Sequence, residues 1–322
     1  MTEVEKINQK LIVMEKEELR REYHRLFYPE DLKITMESYK LVTDAAFQII
    51  SSQKGRPLSS NEDIDGMYLF QMTAMKNLSI LNLMQSLNYY NELGDFNMEN
   101  LHDPFALSCL VRTQYEAFCN FNNIYRVSKS ADEKTFKYLL WVLSGLKYRQ
   151  SFPTKQQEYI EKRENERLQI EELKKAIKMS RTYQNLDPDA QGNIDKAIWQ
   201  VIINGEKAHG IPWHEMMSNA GATDLFNGQY TSLSLNTHPS NVSVFQFKNM
   251  YSDGNDLPTS ILTMKLSKWL ISFFIVDYCY YFEDAKQTFE KLPLMTQILI
   301  NQYNSLFRTE IYRINQASNS LN

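Results

Sequence analysis

Asp103-Pro-Phe-Ala-Leu-Ser-Cys-Leu-Val-Arg-Thr-Gln-Tyr-Glu-Ala-Phe-Cys-Asn-Phe121 is the stretch that decides the fold. Asp103 is a good helix N-cap, and Pro104 suits a first turn, where its missing N–H is not needed. Nothing breaks the helix before about Ser128. Leu107, Val111, Phe118, Phe121 and Tyr125 lie on one side at helical spacing, with Cys109 and Cys119 on another. Apolar residues thus cover most of the circumference, and a helix of that kind is buried among others. The reading is a central helix of an all-α bundle.

The same pattern extends outward in both directions. In 322 residues there are 10 glycines and 9 prolines, and scarcity of both breakers favours long helices. About ten are expected. The first spans roughly Glu3–Leu26. Pro29 starts a second, to about Ser51, and a loop with Gly55 and Pro57 follows. Ser60 or Asn61 caps a third, to about Asn91, whose buried stripe is Met67, Phe70, Ala74, Leu78 and Leu81. Gly94 ends it.

A fifth helix covers about Asp132–Arg149, and Pro153 begins the next. Thirteen of the 24 residues in Lys155–Lys178 are charged, which predicts a solvated helix touching the body along a narrow edge. It forms half of a projecting hairpin if Asn193–Ile203 returns beside it. The stretch Gly205–Trp213 reads as a loop into a short helix at Pro212, broken at Gly221. Another helix runs from about Asp224 to His238, stopped by Pro239. Ser240–Leu257 reads as irregular, with Ser243–Phe247 the one short strand candidate. Pro258 opens a long apolar helix to about Ala285, and a last one covers about Pro293–Asn315.

The expected organisation is a single multi-helix bundle over residues 1–322. Residues 1–28 form a peripheral helix, 155–204 a charged hairpin insertion, and 316–322 a frayed tail. A net charge of −4 gives no global basic footprint for nucleic acid. Cys109, Cys119 and Cys279 sit in apolar helical contexts and read as reduced packing residues. The strongest apolar run, Trp269–Val276, is far shorter than the ~20 residues of a membrane span. No membrane association is expected, and cytoplasmic residence is. No phosphate-binding glycine loop, zinc-protease or nucleophile-elbow motif occurs, so no cofactor is expected. His209 and His214 lack further ligands at a recognised spacing, so no metal is expected either.

Two constellations carry chemistry. Arg112 and Glu116 are four apart and share a helix face. On a mostly buried helix, each charge needs a partner. In Tyr230-Thr-Ser-Leu-Ser-Leu-Asn-Thr-His-Pro-Ser240, the residues Tyr230, Ser234 and His238 form one polar row at i, i+4 and i+8. His238 sits at the helix C-terminus, where the dipole favours a cation. Two readings compete. The residues make a polar site, or they form a hydrogen-bonded lock between two helices.

The order Arg112-x-x-x-Glu116, Trp213, then Tyr230-x-x-Leu-Ser234-x-x-x-His238-Pro-Ser240 resembles an uncharacterised bacterial family of helical proteins. The match spans roughly Ile64–Tyr281. More distantly, an Arg/Glu helix facing a histidine helix is similar to the HEPN superfamily of nucleotide-binding and RNase domains. Active members carry arginine and histidine within one R-x(4–6)-H motif. Here Thr231, Ser232 and Asn236 fill that stretch, and Arg112 takes the arginine's place only if the fold brings it across. The resemblance implies a nucleotide or RNA ligand. Arg112 then holds a phosphate, His238 acts as general acid/base, Glu116 orients them, and Tyr230, Ser234, Asn236 and Ser240 contact the substrate. The alternative is a non-enzymatic interaction or scaffold protein. Its contact surface is the Lys155–Lys178 helix or a homodimer interface.

Overall fold

The computed structural model describes residues 3–56, 60–196, 198–223, 226, 228–238 and 240–308, with 3–14 described by their backbone alone. Pro57, Asp224, Pro239, the 316–322 tail and the end of the last expected helix lie outside the described residues.

Helices α1 (Glu3–Phe27), α2 (Leu32–Ser52) and α3 (Asn61–Leu83) lead into a hairpin, β1 (Leu87–Tyr90) with β2 (Asn97–Leu101). Next come α4 (Pro104–Phe121), a π-helical turn (Asn122–Arg126), α5 (Ala131–Gln150) and α6 (Gln157–Met179). Two short helices, α7 (Arg181–Gln184) and α8 (Pro188–Asp195), lead to a second hairpin, β3 (Val201–Asn204) with β4 (Lys207–Gly210). Then follow α9 (Trp213–Asn219), α10 (Gln229–Thr237), α11 (Asn241–Ser252), α12 (Asp256–Tyr281), α13 (Glu283–Phe289) and α14 (Leu294–Phe307). The fold is all-α, with fourteen helices and two small two-stranded sheets among the described residues.

Side-chain caps set the helix starts. Asp103 accepts from the amides of Phe105 and Ala106 at 3.0 and 2.9 Å, and Ser60 accepts from Asp63. The second helix starts later than Pro29 suggests, because Asp31 is the residue that caps it, through the Ile34 amide at 2.7 Å. Likewise α6 begins at Gln157 rather than Pro153, and α12 at Asp256 rather than Pro258.

Four expectations are corrected. The third helix ends at Leu83, not Asn91. Ser86 takes a left-handed φ of 70°, and the chain turns into β1. The Gly205–Trp213 loop is half of a hairpin, turned at Gly205 with φ 61°. The return from α6 is made by α7, α8 and β3 rather than one helix over Asn193–Ile203, because Asp187-Pro188 caps and opens α8. The Ser240–Leu257 segment contains α11, so Ser243–Phe247 is helix and not strand. Ser240 caps it through the Ser243 amide.

The core forms around α12, which is buried around most of its circumference and packs on α4, α14 and α2. By length and composition α12 is apolar enough to cross a membrane, but most of it is buried within the protein. Four helices meet in a buried polar junction. Tyr39 on α2 donates to Asn77 Oδ1 on α3 at 2.9 Å, and its hydroxyl pairs with Ser267 on α12 at 2.8 Å. Gln114 on α4 joins both: its Nε2 donates to Asn77 at 2.6 Å, and its Oε1 accepts from Ser267 at 2.6 Å. Side chains from all four helices converge on Asn77 Oδ1 and the Ser267 hydroxyl, so the junction fixes the register of four helices.

A second, smaller core fills the space between α5, α6, α7, α8 and the β3–β4 hairpin, built on Phe136, Leu140, Ile170, Ile177, Tyr183 and Val201. The charged α6 buries only Glu166, Ile170 and Ile177. Glu166 is held there by Arg149 at 2.6 Å and by Gln150 at 3.1 Å.

Lys268 is buried on α12, with its Nζ 2.8 Å from the Ser38 hydroxyl and 4.5 Å from the centre of the Tyr303 ring. Burial, with Lys265 adding a smaller push, lowers its pKa from 10.5 to about 7. In the unfolded chain the amine keeps its proton up to about pH 10. Between about pH 7 and that value the unfolded chain holds the extra proton, so Lys268 makes stability rise with pH. A Lys268→Met variant lacks this rise. Its stability advantage over the parent, measured by urea unfolding, should therefore shrink steadily from pH 7 to about pH 10.

Candidate functional site

Packing of α10 on α4 brings the two sequence constellations together. Arg112 lies 3.2 Å through Nε from Glu116 Oε1, one turn away on the same helix. Its Nη2 donates to the Tyr230 hydroxyl at 3.1 Å. That hydroxyl in turn donates to Glu116 Oε1 at 2.9 Å, which closes a ring of three side chains. The guanidinium also stands 5.3 Å from the centre of the Tyr230 ring. The fourth member is His238, whose Nε2 is 3.1 Å from Arg112 Nη1. A guanidinium has only donors, so Nε2 accepts, and the histidine proton sits on Nδ1. The fold has brought the arginine across to the histidine.

The cluster is half-open. Arg112 and Glu116 keep 21% and 28% of their side-chain surface exposed, and His238 is exposed. Burial works against the Arg112 charge. The Tyr230 hydroxyl and Glu116 carboxylate outweigh it, and its pKa is raised above that of an ordinary arginine. Burial pushes the Tyr230 hydroxyl up as well, so it stays a neutral donor.

Compared with known protein families, curated proteins and solved structures, the chain matches none.

The other expected site residues have different surroundings. Asn236 turns away and donates to Ser108 Oγ at 3.0 Å, one helical turn before Arg112, where it clamps α10 to α4. Ser240 is the cap of α11 and does not reach the cluster. Ser243 holds the carbonyl of His238 at 2.7 Å, so the start of α11 fixes the histidine backbone. Ser234 lies in the row between Tyr230 and His238, and its hydroxyl is buried without a hydrogen-bond partner. Of the three cysteines, Cys119 and Cys279 are buried, and burial pushes both thiols well up. Among the described residues no three His, Cys, Asp or Glu side chains gather in a way that would hold a metal ion.

Sequence reasoning missed a second feature beside this cluster. On the other side of Glu116 a cleft of about 580 Å³ opens between α3, α4 and α5, lined by Tyr68, Trp141, Trp199 and Trp213 among others. Trp213 also stands 6.2 Å from Tyr230, ring centre to ring centre, and so connects the two features. Four tryptophans occur in the chain, and three of them line this cleft. Their wide separation in sequence left no local pattern to read.

The ring of three predicts unequal losses. Tyr230→Phe removes the hydroxyl that bridges Arg112 and Glu116 but leaves that pair intact, so it should cost about 1 kcal/mol. His238→Ala removes an exposed side chain and should change stability by less than about 0.5 kcal/mol. Urea unfolding of the two variants beside the parent measures both.

Proposed function

We propose that the Arg112–His238 edge binds a phosphate group, and that the ligand is a nucleotide or RNA. One observation carries this reading: a guanidinium and an exposed imidazole converge at 3.1 Å. A purely structural lock has no use for an exposed histidine, whereas an oxyanion arriving at this edge takes hydrogen bonds from Arg112 and from the imidazole N–H of His238. Arg112 directs one N–H of Nη1 at His238 and one of Nη2 at Tyr230, and faces Glu116 as an ion pair through Nε, so each terminal nitrogen keeps one further N–H for a ligand. Glu116 and Tyr230 hold the guanidinium in place. The unpartnered hydroxyl of Ser234, in the same row, is a further polar group without a protein partner. The likeness to HEPN domains points the same way, with Arg112 supplied from a separate helix.

The test is RNA binding and RNA cleavage by the parent protein, Arg112→Gln and His238→Ala, with thermal unfolding of each. The expected result is binding that weakens about tenfold or more in Arg112→Gln. Cleavage lost in a His238→Ala variant that melts like the parent makes His238 catalytic. RNA and nucleotide binding absent from the parent protein rejects the reading.

A second reading, an interaction protein, is favoured by the β1–β2 hairpin. Leu87, Tyr89, Tyr90, Phe96 and Met98 are exposed on it, and Leu93 at its tip is 84% exposed. Exposed apolar groups gathered in this way mark contact surfaces. The occupant we assign is a second copy of the chain, because the free edge of an antiparallel strand is its own complement across a two-fold axis. Sedimentation equilibrium should then show a dimer that Leu93→Ser with Phe96→Ser converts to monomer. A parent protein that stays monomeric at high concentration removes this reading.

A further inference from the structure

The cleft beyond Glu116 has the chemistry of a base-binding pocket. Its walls are aromatic: Trp141, Trp199 and Trp213, with Tyr68 at the mouth. Tyr68 is 58% exposed, and Met72 beside it is exposed too, so this wall is open to solvent and unpartnered. A volume of about 580 Å³ is ample for one flat heterocycle stacked between such walls.

The cleft holds two carboxylates, Asp65 and Glu116, and the carboxamide of Asn120 among its polar groups. Asn120 on α4 is 8% exposed, and its carbonyl oxygen is buried without a hydrogen-bond partner. A buried unpaired acceptor is costly, which points to a donor that the protein does not itself provide. Glu116 uses one carboxylate oxygen for Tyr230 and Arg112 and leaves the other open. Asp65 likewise accepts from the Tyr138 hydroxyl at 2.8 Å through one oxygen and leaves the second open. Among the described residues that line the cleft, Lys76 is the one cationic side chain, and its ammonium rests on the Met72 carbonyl at 3.3 Å.

From this we infer that the cleft binds a flat ring carrying adjacent N–H donors beside a carbonyl acceptor, which among nucleobases is guanine. The N1–H and exocyclic N2–H₂ of guanine are adjacent donors for the open oxygens of Glu116 and Asp65, while its O6 accepts from Lys76 or from the Asn120 amide. Adenine puts a lone pair at N1, which faces a carboxylate unfavourably. Stacking on tryptophan tolerates either base, so discrimination comes from the acceptors. The inference rests on the nucleotide reading only in joining this pocket to the Arg112–His238 edge as two subsites of one ligand, with Glu116 between them.

Three tryptophans in the cleft make intrinsic fluorescence the direct readout. The full-length protein is titrated with guanosine, adenosine and inorganic phosphate, with excitation at the red edge of the tryptophan band. Guanosine should change the emission saturably, and adenosine should bind about tenfold or more weakly. Tyr68→Ala removes a largely exposed wall, so it should fold normally and bind guanosine about tenfold more weakly. Asp65→Asn should reduce the preference for guanosine over adenosine. Guanosine without a saturable effect, equal affinity for both nucleosides, or Tyr68→Ala binding like the parent overturns the inference. Inorganic phosphate reports on the other subsite by itself, as competition against RNA that His238→Ala abolishes. Guanosine bound without phosphate competition upholds the pocket and defeats the phosphate reading. The reverse defeats the pocket alone.

Discussion

Asp277 and Arg308 form the interaction on which the arrangement depends. Both side chains are fully buried, and the guanidinium spans both carboxylate oxygens at 2.8 and 3.3 Å. Such a pair is tolerable only if its remaining lone pairs and protons are also used, and here they are. Asn122 of the π-helical turn donates to Asp277 at 2.6 Å. Arg308 also donates to the Ala220 carbonyl at 2.8 Å and to Asn304 at 3.1 Å. One ion pair thus ties together α12, the end of α14, the turn after α4 and the segment after α9. Phe118 and Phe273 flank the guanidinium, so the charge sits within the aromatic core. Asn122 follows directly on the last residue of α4, so the pair anchors the C-terminal end of the helix that carries Arg112 and Glu116.

Much of this was legible in the sequence where a local rule had no competitor. The central helix opened by Asp103-Pro104 is where the caps and the apolar wrap put it. So is the narrow buried edge of α6. The end of the third helix at Leu83 is not legible in the sequence, because the hairpin behind it carries apolar groups that stay exposed and no alternation of inside and outside marks the strands. Helix α11 carries no apolar period that distinguishes it from irregular chain, because only Ser243 along it is buried. Its evidence is the Ser240 cap, and a serine is a weak sign by itself. In the sequence Asp277 directly follows the apolar run Trp269–Val276 and reads as no more than its flanking charge. Its meaning depends on Arg308, and a pair 31 residues apart has no periodic signal.

The candidate site shows the same division. Arg112 with Glu116, and Tyr230 with His238, are visible as two local spacings, and their meeting follows from packing α10 on α4, with Leu233 in the core and Tyr230 against it. Asn236 and Ser240 share the second spacing but point elsewhere. A helix ten residues or fewer in length presents its polar groups around more than one face, and the neighbour decides which are used. The cleft was invisible for a plainer reason. Its tryptophans come from α5, the segment before β3, and α9, and only the folded chain assembles them.

Helix α4 unites these features because each of its faces serves a different neighbour. Gln114 faces the four-helix junction and is fully buried. Arg112 faces α10 and the surface. Glu116 lies between the Arg112 edge and the cleft, and Asn120, one turn on, lines the cleft floor. Residues 112, 116 and 120 follow one another at i, i+4 and i+8, so they form a single stripe along one rigid element. The junction at Gln114 and the ion pair at Asp277 hold that element from behind. A displacement of α4 would therefore move Arg112, the Glu116 carboxylate and the Asn120 carboxamide together. A ligand touching two of them is read by a ruler whose spacing the core has already set, and such preorganisation is what separates a binding stripe from three polar residues that happen to be near one another.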